Sequence, residues 1–422
     1  TTMPRTTLPT PRRPFALLTA LTLACLSAPS EAGGTKGAFY LLGQSGLYPN
    51  AASANGSVVA GYNSGSFWYW TAEQGIVQIG GVTPSNGGAG NADISDDGTR
   101  VGYTIINSAT GKTEGAFYEI PSGTTTPVGN FGFSCDLSAT SCWGMSGDGT
   151  TMVGLGWHNL CAARAYRYSA TGGLVDLGTL VSGASSRANA CSGNGSVIAG
   201  WQDTAQGARQ AAYWKNGVEK IIYTQAGQPL GEAGVVSDDG TWILGLGAST
   251  NNNLAWRWSE QTGYIPLPAT PIAGFRGYPT GISDDASRIL MFYRTPFPPA
   301  TAGEGYMVVN GVLTSLEVLA ASEGITIPTG VRMALPLGLS ADGYTVVGTA
   351  RTPTGIQGFI LDLPRPVQCV GDLNADGQVA AQDIAALLSD WGSTTSAADL
   401  NSDGVVGAAD ITVLLSAWGA CP

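Results

Sequence analysis

Along residues 37–363 the hydrophobic positions come in short runs that alternate with polar ones, and glycine-containing turns separate the runs. The segments "GSFWYW", "GAFYEI", "RAYRYS", "QAAYWK", "LAWRWS", "GYMVVN" and "GFILDL" carry aromatic and branched side chains with a period near two, as expected for strands packed on one face. Upstream of each stands a Ser-x-Asx-Gly phrase followed by an apolar run: "SANGSVVAGY" at Ser53, "SDDGTRVGYT" at Ser95, "SGDGTTMVGL" at Ser146 and "SGNGSVIAGW" at Ser192. The series continues with "SDDGTWILGL" at Ser237, "SDDASRILMF" at Ser283, where Ala replaces the Gly, and "SADGYTVVGT" at Ser340. The seven copies are spaced by 42 to 57 residues, a period of propeller blades or solenoid repeats.

The turn chemistry decides for the propeller. Asx-Gly between two apolar runs predicts a hairpin, because Asn or Asp tolerates the left-handed conformation and Gly adopts it freely. The Ser hydroxyl is placed to cap that turn. A short apolar strand such as "GIVQIG" or "GLVDLG" follows the aromatic one, so each copy reads as four antiparallel strands, a to d, with no helical period. The seventh copy stops after its strand c, "GFILDL", and the missing fourth strand is found at "GAFYLLG", Gly37 to Gly43. That strand would complete the last blade and remove an exposed sheet edge. The expectation is a mainly β chain: a seven-bladed β-propeller over 37–363 closed by an N-terminal strand, a short linker over 364–368, and a small α-helical domain over 369–422. The phrases Ser-x-Asp-Gly, Val-Val-Gly, Ala-Phe-x-Trp and Leu-Gly resemble those of the extracellular HAF-type repeat family, a likeness that implies architecture rather than activity.

The small domain is written twice. "GDLNADGQVAAQD" and "ADLNSDGVVGAAD" repeat with a period of 27 residues. Asp372, Asn374, Asp376 and Asp383 stand at loop positions 1, 3, 5 and 12, and Asp399, Asn401, Asp403 and Asp410 repeat them. Gly377 and Gly404 take position 6, and the backbone carbonyls of Gln378 and Val405 take position 7. This is the spacing that wraps oxygen ligands around Ca²⁺. Each loop leads into one apolar helix, "DIAALLSDWG" or "DITVLLSAWG". Two loop-helix units with Asp at position 12 resemble a type I dockerin module, which implies two Ca²⁺ and a cohesin partner. Two departures from the usual dockerin pattern stand out. Ala381, Gln382, Ala408 and Ala409 occupy places that often carry Ser or Thr, and Ser389 and Ser416 replace the usual basic residues. Seven Asp and no Lys, Arg or Glu lie between Gly371 and Pro422, so metal binding is expected to be coupled to folding. Cys369 and Cys421 bracket the module and are expected to tie its ends together.

Composition adds the setting. Arg5, Arg12 and Arg13, the apolar run "PFALLTALTLACLSA" and "SEA" read as a secretory signal over 1–32, with Met3 as the expected start. Six cysteines follow it, an even number that favours disulfides in an exported chain. Cys135 and Cys142 are expected to pair locally, with Cys161 and Cys191 left over. A formal net charge of -11 argues against nucleic acid as partner. The expected location is outside the cell or at its surface, with no membrane span in the mature chain.

Candidate chemistry in the propeller is sparse. The only histidine, His158, lies in a b–c loop, and there is no nucleophile elbow, metal-binding histidine set or phosphate loop. Glu73, Glu114 and Glu260 lie near loops, and most Asp residues belong to the a–b turns, so no carboxylate pair for glycoside hydrolysis stands out. Strand a of a propeller lines the central channel. Counting back from the anchor serines places Tyr48, Arg187, Glu232 and Tyr278 around one channel mouth, a set suited to a sugar or a peptide. The aromatic-rich segment over residues 129–144 is a second candidate surface. The reading is a non-catalytic propeller that binds a glycan or protein, docked or retained by its C-terminal module. A dockerin-borne polysaccharide-degrading enzyme and a structural surface protein are the alternatives.

Overall fold

The computed structural model describes residues 37–135, 137–247, 254–295, 300–365, 369–374, 376–394, 396–401 and 403–421. The expected leader over 1–32 and residues 366–368 of the expected linker fall outside these. The chain divides into two compact units, one over 35–366 and one that includes 367–422.

The larger unit contains seven four-stranded antiparallel sheets. Blade 1 runs from Tyr48–Ala52 to Gly75–Gly80, blade 4 from Ser186–Cys191 to Val218–Ile221, and blade 6 from Arg276–Ile282 to Val312–Ser315. Strand β1 (Ala38–Ser45) pairs antiparallel with Gly355–Asp362 and supplies the outer strand of blade 7. Phe39 of β1 stacks on the fully buried Phe359 at 6.0 Å, so the closing strand covers core as well as an edge.

The seven anchor phrases fold alike. Every anchor serine is at most 2 % exposed. Each donates its hydroxyl to the Asx two residues on, at 2.5 Å for Ser146–Asp148 and 3.3 Å for Ser53–Asn55. Each also accepts the backbone N–H five residues on, as Ser146 Oγ does from Thr151 N at 2.9 Å. The residue after the Asx is left-handed in all seven copies, including the exception, Ala286, at φ 56°.

The residue between Ser and Asx does something the sequence pattern did not announce. These residues carry a main-chain belt from blade to blade around the channel. Ala54 N donates to Asp96 O, Asp96 N to Gly147 O, Gly193 N to Asp238 O and Asp284 N to Ala341 O, all at 2.8–2.9 Å. A Cβ at Gly147 would lie 2.1 Å from Asp96 Oδ2 and one at Gly193 1.6 Å from Asp238 Oδ1, which explains why copies three and four read Ser-Gly-Asx-Gly.

Two features depart from expectation. A helix, α1 (Leu316–Ser322), occupies the connection from blade 6 to blade 7. Ser315 caps it by accepting Val318 N, and Leu316 and Ala320 pack into the blade 7 core. The Cys135–Cys142 pairing is wrong: Cys135 bonds Cys161, and Cys142 and Cys191 are free thiols. Strand a of blade 3 begins at Thr140, so Cys142 lies inside the strand, fully buried against Gly102 of blade 2. Cys135 instead sits in a loop beside the b–c connection that carries Cys161.

The smaller unit holds helices α2 (Ala381–Ser389) and α3 (Ala408–Ser416) and a two-stranded ladder of Gln378–Val379 with Gly419–Ala420. Its core is Val379, Leu387, Ala398, Val406 and Leu414. Cys369 and Cys421 are bonded, as expected. Among the described residues no helix is long and apolar enough to cross a membrane.

Candidate functional site

The two acidic loops are superposable in their hydrogen bonds. Asp372 accepts Asp376 N and Gly377 N at 3.1 and 2.9 Å, and Asp399 accepts Asp403 N and Gly404 N at 3.2 and 2.9 Å. Asp383, fully buried, accepts Leu373 N and Asn374 N on one oxygen and Ala380 N on the other. Asp410 does the same with Asn401 N and Gly407 N. The position 12 carboxylate thus clamps the loop start onto the first turn of its helix. Gly377 and Gly404 are left-handed, at φ 85° and 92°, as the sharp turn requires. Asp372, Asn374, Asp376 and Asp383, and their repeats in the second loop, offer carboxylate and amide oxygens, a set of donors suited to a hard cation such as Ca²⁺.

The helices also present an apolar surface, repeated by the 27-residue period. Leu388 and Trp391 are each 51 % exposed, and so are Leu415 and Trp418. Ser389 and Ser416 turn their hydroxyls back onto Ala386 O and Val413 O, leaving the large apolar groups as the prominent features.

In the propeller, strand a of each blade lines an axial cavity of about 630 Å³. Strand a carries a register shift in six blades, which re-aims Asn50, Trp143, Asn189, Gly234, Thr280 and Leu337 into this cavity. Tyr48, Arg187 and Glu232 line it as well, whereas Tyr278 is not among the lining residues. Tyr278 stacks on Phe292 at 4.9 Å, under Arg294.

The polar centre of the cavity is in blades 3 to 5. Arg187 donates Nε to Asn189 Oδ1 at 2.6 Å and Nη2 to Glu232 Oε2 at 3.2 Å, while its guanidinium lies 3.6 Å over the Trp143 ring. Arg209 holds the other oxygen of Glu232 and lies 4.2 Å over Trp201. Burial lowers the Arg187 pKa to about 10, more than Glu232 restores. Across the cavity Tyr48 stacks on Tyr62 at 5.2 Å.

Sequence reasoning missed the acids that face the channel. In "SDDG" the second Asp is the turn residue, and the first points inward. Asp96 and Asp284 have raised pKa values, Asp284 to about 6, mainly through burial and then through Asp238. Asp93, two residues before its anchor serine, is pushed up to about 6 by burial, although Met145 N and Ile94 N donate to it at 2.7 and 2.9 Å. The signal available was position: an acid at x, or two before the Ser, cannot serve the turn.

The remaining candidates have structural partners. His158 lies 3.3 Å from Asp176 and 4.4 Å from the Phe131 ring; of the other 129–144 aromatics Phe133 is 43% exposed and Trp143 belongs to the cavity wall. Glu114 is fully buried and accepts Asn107 Nδ2, Thr110 Oγ1 and Asn130 Nδ2. Glu260 takes Lys215 at 2.6 Å.

Comparison with known proteins is uneven across the two units. Curated proteins contain no match to this chain. The propeller is similar in fold to oligogalacturonate lyase from Vibrio parahaemolyticus, with 12% identity over 78% of this chain and 94% of that one, at a TM-score of 0.51. The β-propeller domain of the Trilobed protease from Pyrococcus furiosus matches at 10% identity over 76% of this chain and 96% of that one, at a TM-score of 0.49. TolB from Acinetobacter baumannii matches at 14% identity and a TM-score of 0.41 over 76% of this chain, which spans 63% of TolB. Residues 370–416 match the dockerin type I domain family. The chain is therefore a seven-bladed β-propeller carrying a C-terminal dockerin type I domain.

Proposed function

We propose that the chain is an exported, non-catalytic binding protein whose propeller takes a glycan or protein ligand at the channel mouth and whose dockerin domain docks it to a cohesin-like module. Tyr48, Arg187 and Glu232 form the ligand surface. The dockerin domain takes two Ca²⁺, one held by Asp372, Asn374, Asp376, the Gln378 carbonyl and Asp383, the other by Asp399, Asn401, Asp403, the Val405 carbonyl and Asp410. Two ions would cancel four of the module's seven Asp charges, which couples loading to folding. Leu388, Trp391, Leu415 and Trp418 supply the docking face. The blade phrases fit a HAF-type extracellular repeat, in keeping with an extracellular setting.

The observation that carries the non-catalytic reading is the state of Glu232: each of its oxygens is ion-paired with a guanidinium group, so the carboxylate is committed to a structural network rather than held free for a substrate. One observation favours a second reading, a dockerin-borne polysaccharide-degrading enzyme: Asp93 lines the channel with a pKa near 6, in the range of a general acid. The test is to incubate the Ca²⁺-loaded protein with a panel of soluble and insoluble polysaccharides and record both retention and new reducing ends. Retention without cleavage supports binding. Reducing ends that vanish in Asp93→Asn replace it with the enzyme. Neither signal removes polysaccharide from the account and leaves a protein ligand or a structural surface role.

A further inference from the structure

The cavity has a sign. At the end formed by the a–b turns, Asp96, Asp238 and Asp284 face one another. At the other end Arg187 lines the wall and Arg209 stands at its lip, sharing Glu232. An anion is therefore repelled from one mouth and drawn to the other.

The arginine end is built rigidly. Trp143 covers one face of the Arg187 guanidinium and Asn189 fixes its Nε. Asn189 is itself held by donating to Ala233 O at 2.7 Å. Arg209 lies flat on Trp201, which also carries Arg187 at 5.4 Å. Two guanidinium groups thus converge on one carboxylate, a geometry that recognises planar anions well. The side chains are 14% exposed at Arg187 and 17% at Glu232, so this recognition works in a partly desolvated site.

Resting on the reading that the channel mouth binds a glycan, we infer that its ligand is an acidic oligosaccharide, and that Glu232 is an internal stand-in which a sugar carboxylate displaces or joins. The rest of the wall matches a sugar. The stacked pair Tyr48–Tyr62 lines it, as does Thr280, whose hydroxyl donates to Pro336 O at 3.1 Å. Asn50 lines the wall, and its buried Oδ1 has no hydrogen-bond partner among the described residues.

The experiment uses the full Ca²⁺-loaded chain and a matched pair of probes, a hexuronate trimer and its carboxyl-reduced neutral counterpart, in calorimetric titrations at low salt. The wild type binds the acid form at least tenfold more tightly than the neutral form. Glu232→Gln frees both guanidiniums and tightens the acid form about tenfold, while Arg187→Gln weakens it by tenfold or more. Both variants change the neutral form by less than they change the acid form. If Glu232→Gln fails to fold, Arg187→Lys replaces it: that variant keeps the charge, loses the fork and must weaken the acid form more than the neutral one. Equal binding of the two probes overturns the inference and leaves the glycan site standing. Binding of neither overturns both. A tetrapeptide with a free C-terminal carboxylate that binds where the trimer does not replaces the sugar with a peptide.

Discussion

Replacing Ser146 by Ala probes the device on which all seven blades depend. The Ser146 hydroxyl is fully buried, donates to the Asp148 carboxylate at 2.5 Å and accepts Thr151 N at 2.9 Å. A hydrogen bond to a charged group is worth roughly 1.5–3 kcal/mol, and an orphaned buried N–H costs about 1–3 kcal/mol. The two losses overlap, so Ser146→Ala is expected to cost about 2–4 kcal/mol. Ser53 is the internal control. Its partner is the neutral Asn55 at 3.3 Å, and it accepts Val58 N at 3.1 Å, so Ser53→Ala is expected to cost about 1–2 kcal/mol. Urea titration with Ca²⁺ present, followed by tryptophan fluorescence and circular dichroism, gives both values at an unchanged m-value. A cost below about 0.5 kcal/mol for Ser146→Ala, or an equal cost at the two sites, would refute the view that a serine cap holds the a–b turns and that a charged partner strengthens it.

Three further outcomes follow from the same geometry. Ala286 is the non-glycine residue at the left-handed position of an anchor turn, so Ala286→Gly is expected to stabilise the propeller by about 0.5–1 kcal/mol after the entropy of the new glycine is subtracted, read from the urea midpoint. The Asp284 carboxyl has a folded pKa of about 6, above its unfolded value, so its contribution favours folding at low pH and is lost as pH rises through 6. Asp284→Asn is therefore expected to flatten the stability profile between pH 4 and 6 and to stabilise the protein at pH 8, by roughly 1 kcal/mol once solvent screening of this half-exposed group is allowed for. Removing residues 37–44 strips the outer strand from blade 7 and uncovers Phe359, and light scattering is expected to show association that the full chain does not.

What the sequence made legible follows a physical divide. Blade number, closure by the first strand and both acidic loops depend on local chemistry repeated at fixed spacing: a Ser that caps an Asx-Gly turn, or oxygens at alternate loop positions. Features that arise between repeats were hidden. The inward-facing Asp96, Asp238 and Asp284 share a motif with the turn aspartates beside them and differ only in which side of the strand end they face. The Cys135–Cys161 bond depends on which loops meet in space, and sequence proximity pointed to Cys142 instead. Arg209, which holds half of the Glu232 carboxylate, begins strand c of its blade and has no local signature. Tyr278 follows the counting rule that found Arg187 and Glu232, yet stacking on Phe292 keeps it off the cavity wall. Helix α1 did have a signature, a capping Ser315 ahead of Leu316 and Ala320, which the surrounding strand pattern masked.

The central claim is that the C-terminal domain is a docking device assembled by two calcium ions held in equivalent loops. Equilibrium dialysis of the full chain against Ca²⁺, with far-ultraviolet circular dichroism of the same samples, tests it most directly. The account predicts two ions per chain, helix signal gained in step with loading, and a single ion in Asp383→Asn or in Asp410→Asn. A chain that binds no ion, or whose helix signal is the same with and without calcium, would contradict it.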